Sequence, residues 1–236
     1  MKKTFLAIIL LAITANFSIA QTLSHYELDV KDFTELKVSD GINVNYVCNP
    51  DSVGRAVFTA TDDLASALMF NNTKGRLEIQ IASKNVKYEN LPTVTVYSKF
   101  LTKAENDGDS TVRVLSVASC PNFKARIIGN GRLSVKNLDV THIDGSIDTG
   151  NGQLILNGKC ESSKLSCTGT GTIQADELVS NDTKCVMIGT GTIGCQAHKT
   201  LNIVGASSGK VYYKGNPEEI KKRSVGVKLI PLDNEE

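Results

Sequence analysis

Gly129-Asn130-Gly131-Arg132-Leu133-Ser134-Val135 and Gly150-Asn151-Gly152-Gln153-Leu154-Ile155-Leu156 are two copies of one pattern, and Gly169-Thr170-Gly171, Gly189-Thr190-Gly191 and the looser Ser207-Ser208-Gly209 open three more. Counted on the last glycine of each turn, successive steps are 21, 19, 20 and 18 residues. A period near twenty indicates stacked coils, because a single rung of that length cannot bury its own apolar face. The second and fourth residues after each turn are Leu133 and Val135, Leu154 and Leu156, Ile173 and Ala175, Ile193 and Cys195, and Val211 and Tyr213. In a strand these two positions share a face, and the mostly polar residues between them face outward.

A second strand enters each turn. Two and four residues before the first glycine stand Ile127 and Ala125, Cys167 and Leu165, and Met187 and Cys185. Asp148 and Ser146 break this series, so Ile147 and Ile143 are the alternative inward pair, with a one-residue slip or bulge at that corner. Glycine supplies positive φ where the chain reverses, and the neighbouring Asn tolerates the same region. An earlier copy begins at Asp107-Gly108-Asp109-Ser110-Thr111-Val112-Arg113-Val114. The expected fold is all-β, a β-helix-like superhelix with rungs of about 20 residues and Gly-x-Gly turns. About six turns at ordinary strand spacing give an array on the order of 25 Å long.

The organisation expected is a signal peptide at 1–20, a strand-rich region at 21–106 continuous with the coil, the repeat array and its C-terminal cap at 107–230, and a disordered tail at 231–236. Lys2 and Lys3, the apolar run Phe5 to Ile13 and the small-residue site Ser18-Ile19-Ala20 describe a secretory leader cleaved before Gln21. The mature chain is then exported, to the periplasm, the outer surface or the medium, with no membrane span. In the first region Phe33, Leu36, Val38, Ile42, Val44 and Tyr46 flank an Asp40-Gly41 turn. Leu77, Ile79 and Ile81 form one half-buried strand, and Val94 and Val96 another. A short helix is expected from Leu64 to Phe70, capped by Asp62 or Asp63, serving as a lid. A lid is useful because the end of a stack exposes apolar core and unpaired strand edges.

The 236 residues carry 26 basic and 25 acidic side chains, a formal charge of +1, which argues against nucleic acid or an anionic membrane as the partner. Tryptophan is absent and aromatic residues are 6%, which disfavours a sugar-stacking platform. An even count of six cysteines in an exported chain invites disulfides, with fifteen pairings if all six bond. Cys167, Cys185 and Cys195 nevertheless fall on inward positions and read as core thiols, while Cys160 sits near a bend and is open to either reading. No zinc spacing or calcium repeat is found, and no metal or cofactor is expected.

His25, His142 and His198 are scattered and read as surface residues. Carboxylates are the better candidates for chemistry, since some stacked-coil proteins cleave polysaccharides with acidic groups on one face. Asp107, Asp109, Asp139, Asp144 and Asp148 lie in the first rungs, and Asp144 and Asp148 stand four apart across an expected bend at Gly145. Asp107, Asp109, Asp144 and Asp148 are retained as glycan-face candidates, weighed against ordinary solvated aspartates.

Phe33 to Val44 has the form Phe-x-x-Leu-x-Val-x-x-Gly-Ile-Asn-Val, followed by a Leu-x-Ile strand and the regular Gly-x-Gly turns. This combination resembles the auto-transporter adhesin head GIN domain family of exported bacterial proteins, common in Bacteroidetes, over about Phe33 to Leu229. The resemblance implies a right-handed superhelix similar to pectin-lyase-like folds, no catalytic apparatus, and a role in cell adhesion. It carries over no site residues. Function is therefore expected to be a non-enzymatic surface or periplasmic interaction module for a protein or glycan. The alternatives are a carbohydrate-binding or polysaccharide-cleaving β-helix protein and an envelope scaffold that forms homo-oligomers.

Overall fold

Leu133 lies in register with Val112 on one side and Leu154 on the other, and the same column continues through Ile173, Ile193 and Val211 to Leu229. From Val112 to Val211 every member of this column is fully buried. The residues after successive glycine corners therefore stack into one interior, as the repeat requires. The computed structural model describes residues 22–82 and 90–232. It is nearly all-β, 67% strand and 4% helix, a β-solenoid of about six turns with rungs near 20 residues.

In chain order the first strands are β1 (Ser24–Asp29), β2 (Glu35–Ser39), β3 (Val44–Cys48) and β4 (Arg55–Ala60). The helix α1 (Asp62–Ala67) follows, then β5 (Leu68–Thr73), β6 (Arg76–Ile81), β7 (Val94–Ser98), β8 (Lys103–Asp107) and β9 (Thr111–Val114). The repeat strands are β10 (Cys120–Ile128), β11 (Arg132–Ile147), β12 (Gln153–Gly169), β13 (Thr172–Gly189), β14 (Thr192–Gln196), β15 (Thr200–Ala206) and β16 (Lys210–Lys214). β17 (Glu219–Val225) and β18 (Lys228–Pro231) complete the chain. The expected leader and its cleavage site lie outside the described residues, as do positions 233–236 of the expected tail. Pro231 belongs to β18, and the Leu232 amide donates to Tyr213 O at 2.8 Å.

Pairing between rungs is parallel, and two inward columns run along each of the two main faces. One face stacks Leu36, Ala104, Ala125, Gly145, Leu165, Cys185 and Ile203. Beside it run Val38, Asn106, Ile127, Ile147, Cys167 and Met187. Ile147 and Ile143 are thus the inward residues of their rung, and the slip is absorbed at the corner. Gly150 lies three positions after Ile147, where Gly129 lies two positions after Ile127. Gly145 is no bend. It is an inward strand position, where an added Cβ would stand 3.0 Å from Leu156 Cδ1 and 3.2 Å from Leu165 Cδ2.

The two glycines of each turn do different jobs. Gly150 has φ +79°, in the left-handed region where an L side chain is strained. Gly171 has ordinary φ, yet its Cβ would stand 2.6 Å from Gly152 O in the rung below. One glycine turns the chain and the other lets turns stack.

The N-terminal rungs do not follow chain order. β2 pairs with both β6 and β8, and β3 with both β7 and β9, so the rung written first is laid between the two that come later. The chain reaches the outer side through β4, antiparallel to β7, and β5, antiparallel to β6, with β1 antiparallel to β4. Tyr26, Phe58 and Phe70 stack in series within this end structure, with ring centroids 5.1 and 5.9 Å apart. The helix is shorter than expected. Leu68-Met69-Phe70 belongs to β5, because Leu68 and Phe70 face the core while Met69 points outward, a period of two and not of 3.6.

Candidate interaction face

Parallel in-register stacking puts equivalent outward residues of successive rungs next to one another at strand spacing, about 4.8 Å. On the face formed by the strands that enter each turn, one outward column reads Glu35, Lys103, Lys124, Asp144, Lys164, Lys184, Asn202, Lys221. The next reads Lys37, Glu105, Arg126, Ser146, Ser166, Val186, Val204, Arg223.

These columns account for the carboxylates singled out in the sequence. Asp144 sits between Lys124 Nζ and Lys164 Nζ, 3.9 Å from each. Asp148 accepts from Arg126 Nε at 2.7 Å and also from its Nη2. Asp107 pairs with Lys37 at 3.2 Å, and Asp109 accepts from Asn130 Nδ2 at 3.3 Å. Asp139 lies on a different strand segment, paired with Lys159 at 3.3 Å. Each carboxylate is thus matched to a cation or amide of a neighbouring rung. Among the described residues no group of three or more His, Cys, Asp and Glu side chains is arranged to hold a metal.

Glu105 is the member of this face that sequence reasoning missed. It is 3% exposed and within reach of Lys103 Nζ at 3.1 Å, Arg76 Nη2 at 3.3 Å and Arg126 Nη1 at 3.4 Å. Burial pushes its carboxyl up, but the Lys103 hydrogen bond and the charges of Lys103, Arg126 and Arg76 outweigh that and hold it below the usual value. No local motif signals this site, because Arg76 and Arg126 come from other rungs. The Arg126 guanidinium joins Glu105 to Asp148, tying three successive rungs together.

His142, expected at the surface, is half-buried and its Nδ1 lies 2.8 Å from Ser162 Oγ, its register partner. Asp182, next in that column, accepts from Thr200 Oγ1 at 2.6 Å. The serine therefore stands between histidine and aspartate, not the order in which an imidazole relays a proton from a hydroxyl with a carboxylate behind it. A shallow groove of about 380 Å³ opens nearby, lined by Cys120, Asp139, Thr141 and Glu161 among others.

All six cysteines are free, and Cys167, Cys185 and Cys195 occupy the inward positions read from the repeat. The Gly41-Ile42-Asn43 triplet occupies the corner between β2 and β3. Ile42 is fully buried. Asn43 joins its rung to both neighbours, its carbonyl accepting from the Val94 amide and its Oδ1 from the Thr111 amide, each at 2.9 Å. A family model described as "Putative auto-transporter adhesin, head GIN domain" matches residues 32–217, a span that includes this corner.

The chain belongs to this family. Solved structures of the same fold include a "putative adhesin" from Bacteroides fragilis NCTC 9343, 21% identical, with a TM-score of 0.80 over 90% of this chain and 98% of that one. A "putative adhesin" from Parabacteroides merdae ATCC 43184 is 18% identical, with a TM-score of 0.71 over 91% and 98%. A "Putative lipid binding protein" from Parabacteroides distasonis ATCC 8503 is 16% identical, with a TM-score of 0.72 over 91% and 98%. None of the curated proteins matches the chain. No helix among the described residues is long and apolar enough to cross a membrane.

Proposed function

We propose that this GIN-domain chain is an exported, non-enzymatic interaction module that holds an extended protein or glycan ligand along its outward ladders. The observation that carries the proposal is the column Lys103–Lys124–Asp144–Lys164–Lys184, which repeats one polar position at strand spacing on a rigid face. A ligand that is itself periodic and extended meets successive equivalent side chains on such a face, the way solenoids use long surfaces. Membership of an adhesin family supports the same reading. Export rests on the leader read from residues 1–20. Asp107, Asp109, Asp144 and Asp148 then act as parts of charge-paired ladders that shape the surface.

The test is a glycan array and an envelope-extract capture with the mature chain, repeated with Lys164→Glu/Lys184→Glu. Binding that falls at least about tenfold in the double variant supports the proposal. The competing reading, a polysaccharide-cleaving enzyme, is examined with Asp144→Asn/Asp148→Asn on uronate-containing and neutral polysaccharides. Turnover by the parent chain that these substitutions abolish would end the non-enzymatic reading.

A further inference from the structure

Every glycine of the chain except two either has positive φ or would set an added Cβ 3.0 Å or closer to a neighbouring atom. The exceptions are Gly41, at the corner between β2 and β3, and Gly194, in the middle of β14. At Gly194 a Cβ would meet only Asp176 Oδ1 at 3.4 Å, Ile173 O at 3.7 Å and Asp176 Cβ at 3.8 Å, ordinary van der Waals contacts. Its register partners Gln174 and Tyr212 carry side chains at the same outward position, and the pairing on both sides runs without a bulge. Glycine inside a strand costs conformational entropy and packs nothing. Where neither a bulge nor a bend calls for it, it marks a place kept open for close approach to the backbone.

The gap lies on the face of the Val112–Leu133 column, away from the lysine column. Its outward column reads Ile155, Gln174, Gly194, Tyr212, Ile230. With strands about 4.8 Å apart, Gln174 and Tyr212 stand on centres about 10 Å apart with bare backbone between them. Gln174 is exposed; its Oε1 accepts from Gln153 Nε2 at 2.8 Å, and its own Nε2 meets no acceptor among the described residues. Tyr212 is half-buried, and its hydroxyl has no hydrogen-bond partner among the described residues. Asp176 and Lys214 pair at 3.1 Å on one flank, both partly exposed. Thr192 and Lys210 stand in register on the other.

An opening one strand wide between an amide and a phenol ring, flanked by a carboxylate, ammonium groups and a hydroxyl, matches the two needs of a sugar ring. These are an apolar surface to lie against and donors and acceptors for the hydroxyls on its edge. We propose that one pyranose ring of a glycan seats over Gly194, packed against the Tyr212 ring, with its hydroxyls bonded to Gln174 Nε2 and to the Asp176–Lys214 pair. One tyrosine serves one ring, so the low aromatic content limits the number of such subsites to few. The Asp176–Lys214 pair is neutral as a unit and Lys210 adds one positive charge, so neutral and uronate rings both fit. This subsite is separate from the lysine column proposed above as the ligand face, and neither rests on the other.

The test is calorimetric titration of the full chain with a panel of neutral gluco-, manno- and galacto-oligosaccharides and of uronate oligosaccharides. At least one of these should bind. Gly194→Gln, which writes the Gln174 residue type into the gap, and Tyr212→Ala should each weaken that binding at least about tenfold, while Lys164→Glu/Lys184→Glu should leave it within about twofold. Gly194→Gln should melt at or above the parent temperature, because the backbone there accepts a side chain without strain. A parent chain that binds none of the panel overturns the proposal, as does binding that survives in either folded variant or is lost only in the lysine variant. A Gly194→Gln protein that melts well below the parent also overturns it, since the fold itself would then require the glycine.

Discussion

Cys185 Sγ and Cys195 Sγ lie 3.8 Å apart inside one turn of the coil, both fully buried and both free. They come from the strand that enters a Gly-x-Gly corner and the strand that leaves it, so this contact spans the interior between the two main faces. The neighbouring Cys195 thiol and burial together push Cys185 well above the usual thiol range. The Cys185 thiol therefore acts as a small apolar group at neutral pH, packed against Cys195. Alkylation of the native protein should label Cys48, the single half-buried cysteine of the six, and spare the other five. All six should label after denaturation, and mass spectrometry provides the count. Cys195→Ala should leave the fold intact, while Cys195→Asp, which places a carboxylate in the same sealed site, should abolish it.

Glu105 makes stability depend on pH. Its carboxyl is held below its unfolded value by Lys103, Arg126 and Arg76 in spite of burial. A lowered folded value means that the contribution is complete above the unfolded value, near 4.3, and is lost as pH falls through the folded one. Melting temperature should therefore fall on acidification below about pH 4.5. Glu105→Gln should lower stability by about 2 kcal/mol at pH 7 and make the acid limb shallower. Thermal melts of parent and variant from neutral to acid pH check both statements.

The glycines that look alike in the sequence separate sharply by substitution. Gly171→Ala drives a Cβ to 2.6 Å from Gly152 O and 3.0 Å from Ile147 Cδ1, contacts that only a shift of the stacked turns can relieve. It should lower stability by about 3 kcal/mol. Gly41, the glycine of the GIN triplet, would meet nothing within 4 Å, and Gly41→Ala should change stability by less than about 0.5 kcal/mol. Denaturant titration of both variants distinguishes them.

What the sequence revealed follows from this geometry. The interior columns were legible because the repeat aligns residues about twenty apart with their actual register partners, as for Leu133, Leu154, Ile173 and Ile193. The order of the N-terminal rungs was not, since β6 and β7 lie outside β2 and β3 and no period links them. Glu105 was hidden for the same reason, its cations being distant in sequence. The Leu68-Met69-Phe70 segment misled because three apolar residues in a row satisfy a helical and an extended pattern equally, and the pairing of β5 with β6 decides between them. Asp144 and Asp148 stand four apart in the sequence, but the lysines and arginine that surround them appear only when neighbouring turns are stacked.

Asn106 tests whether a polar residue can be a structural requirement inside an apolar column. It stands between Val38 and Ile127 in register and is fully buried. Its Nδ2 donates to Ser110 O at 2.8 Å and to Arg132 O at 3.0 Å, and its Oδ1 accepts from Ser110 Oγ at 3.3 Å. The side chain thus ties the corner after β8 to the rung above, which has already made its own turn. Asn106→Leu matches the column in polarity yet takes the amide donor away from Arg132 O and from Ser110 O, which keeps the Arg132 amide at 2.8 Å, and leaves the Ser110 hydroxyl without its acceptor, a loss of about 1–3 kcal/mol. Asn106→Asp keeps the shape but faces the same carbonyls with a carboxylate. The aspartate variant should therefore be the less stable at pH 7 and recover partly in mild acid, where a protonated carboxyl donates one hydrogen bond. Leucine at this position should show no such recovery relative to the parent chain. Melting curves of both variants at neutral and acid pH, each referred to the parent at the same pH, decide the point. An Asn106→Leu protein as stable as the parent would show that the column tolerates an apolar residue there and that the amide is dispensable.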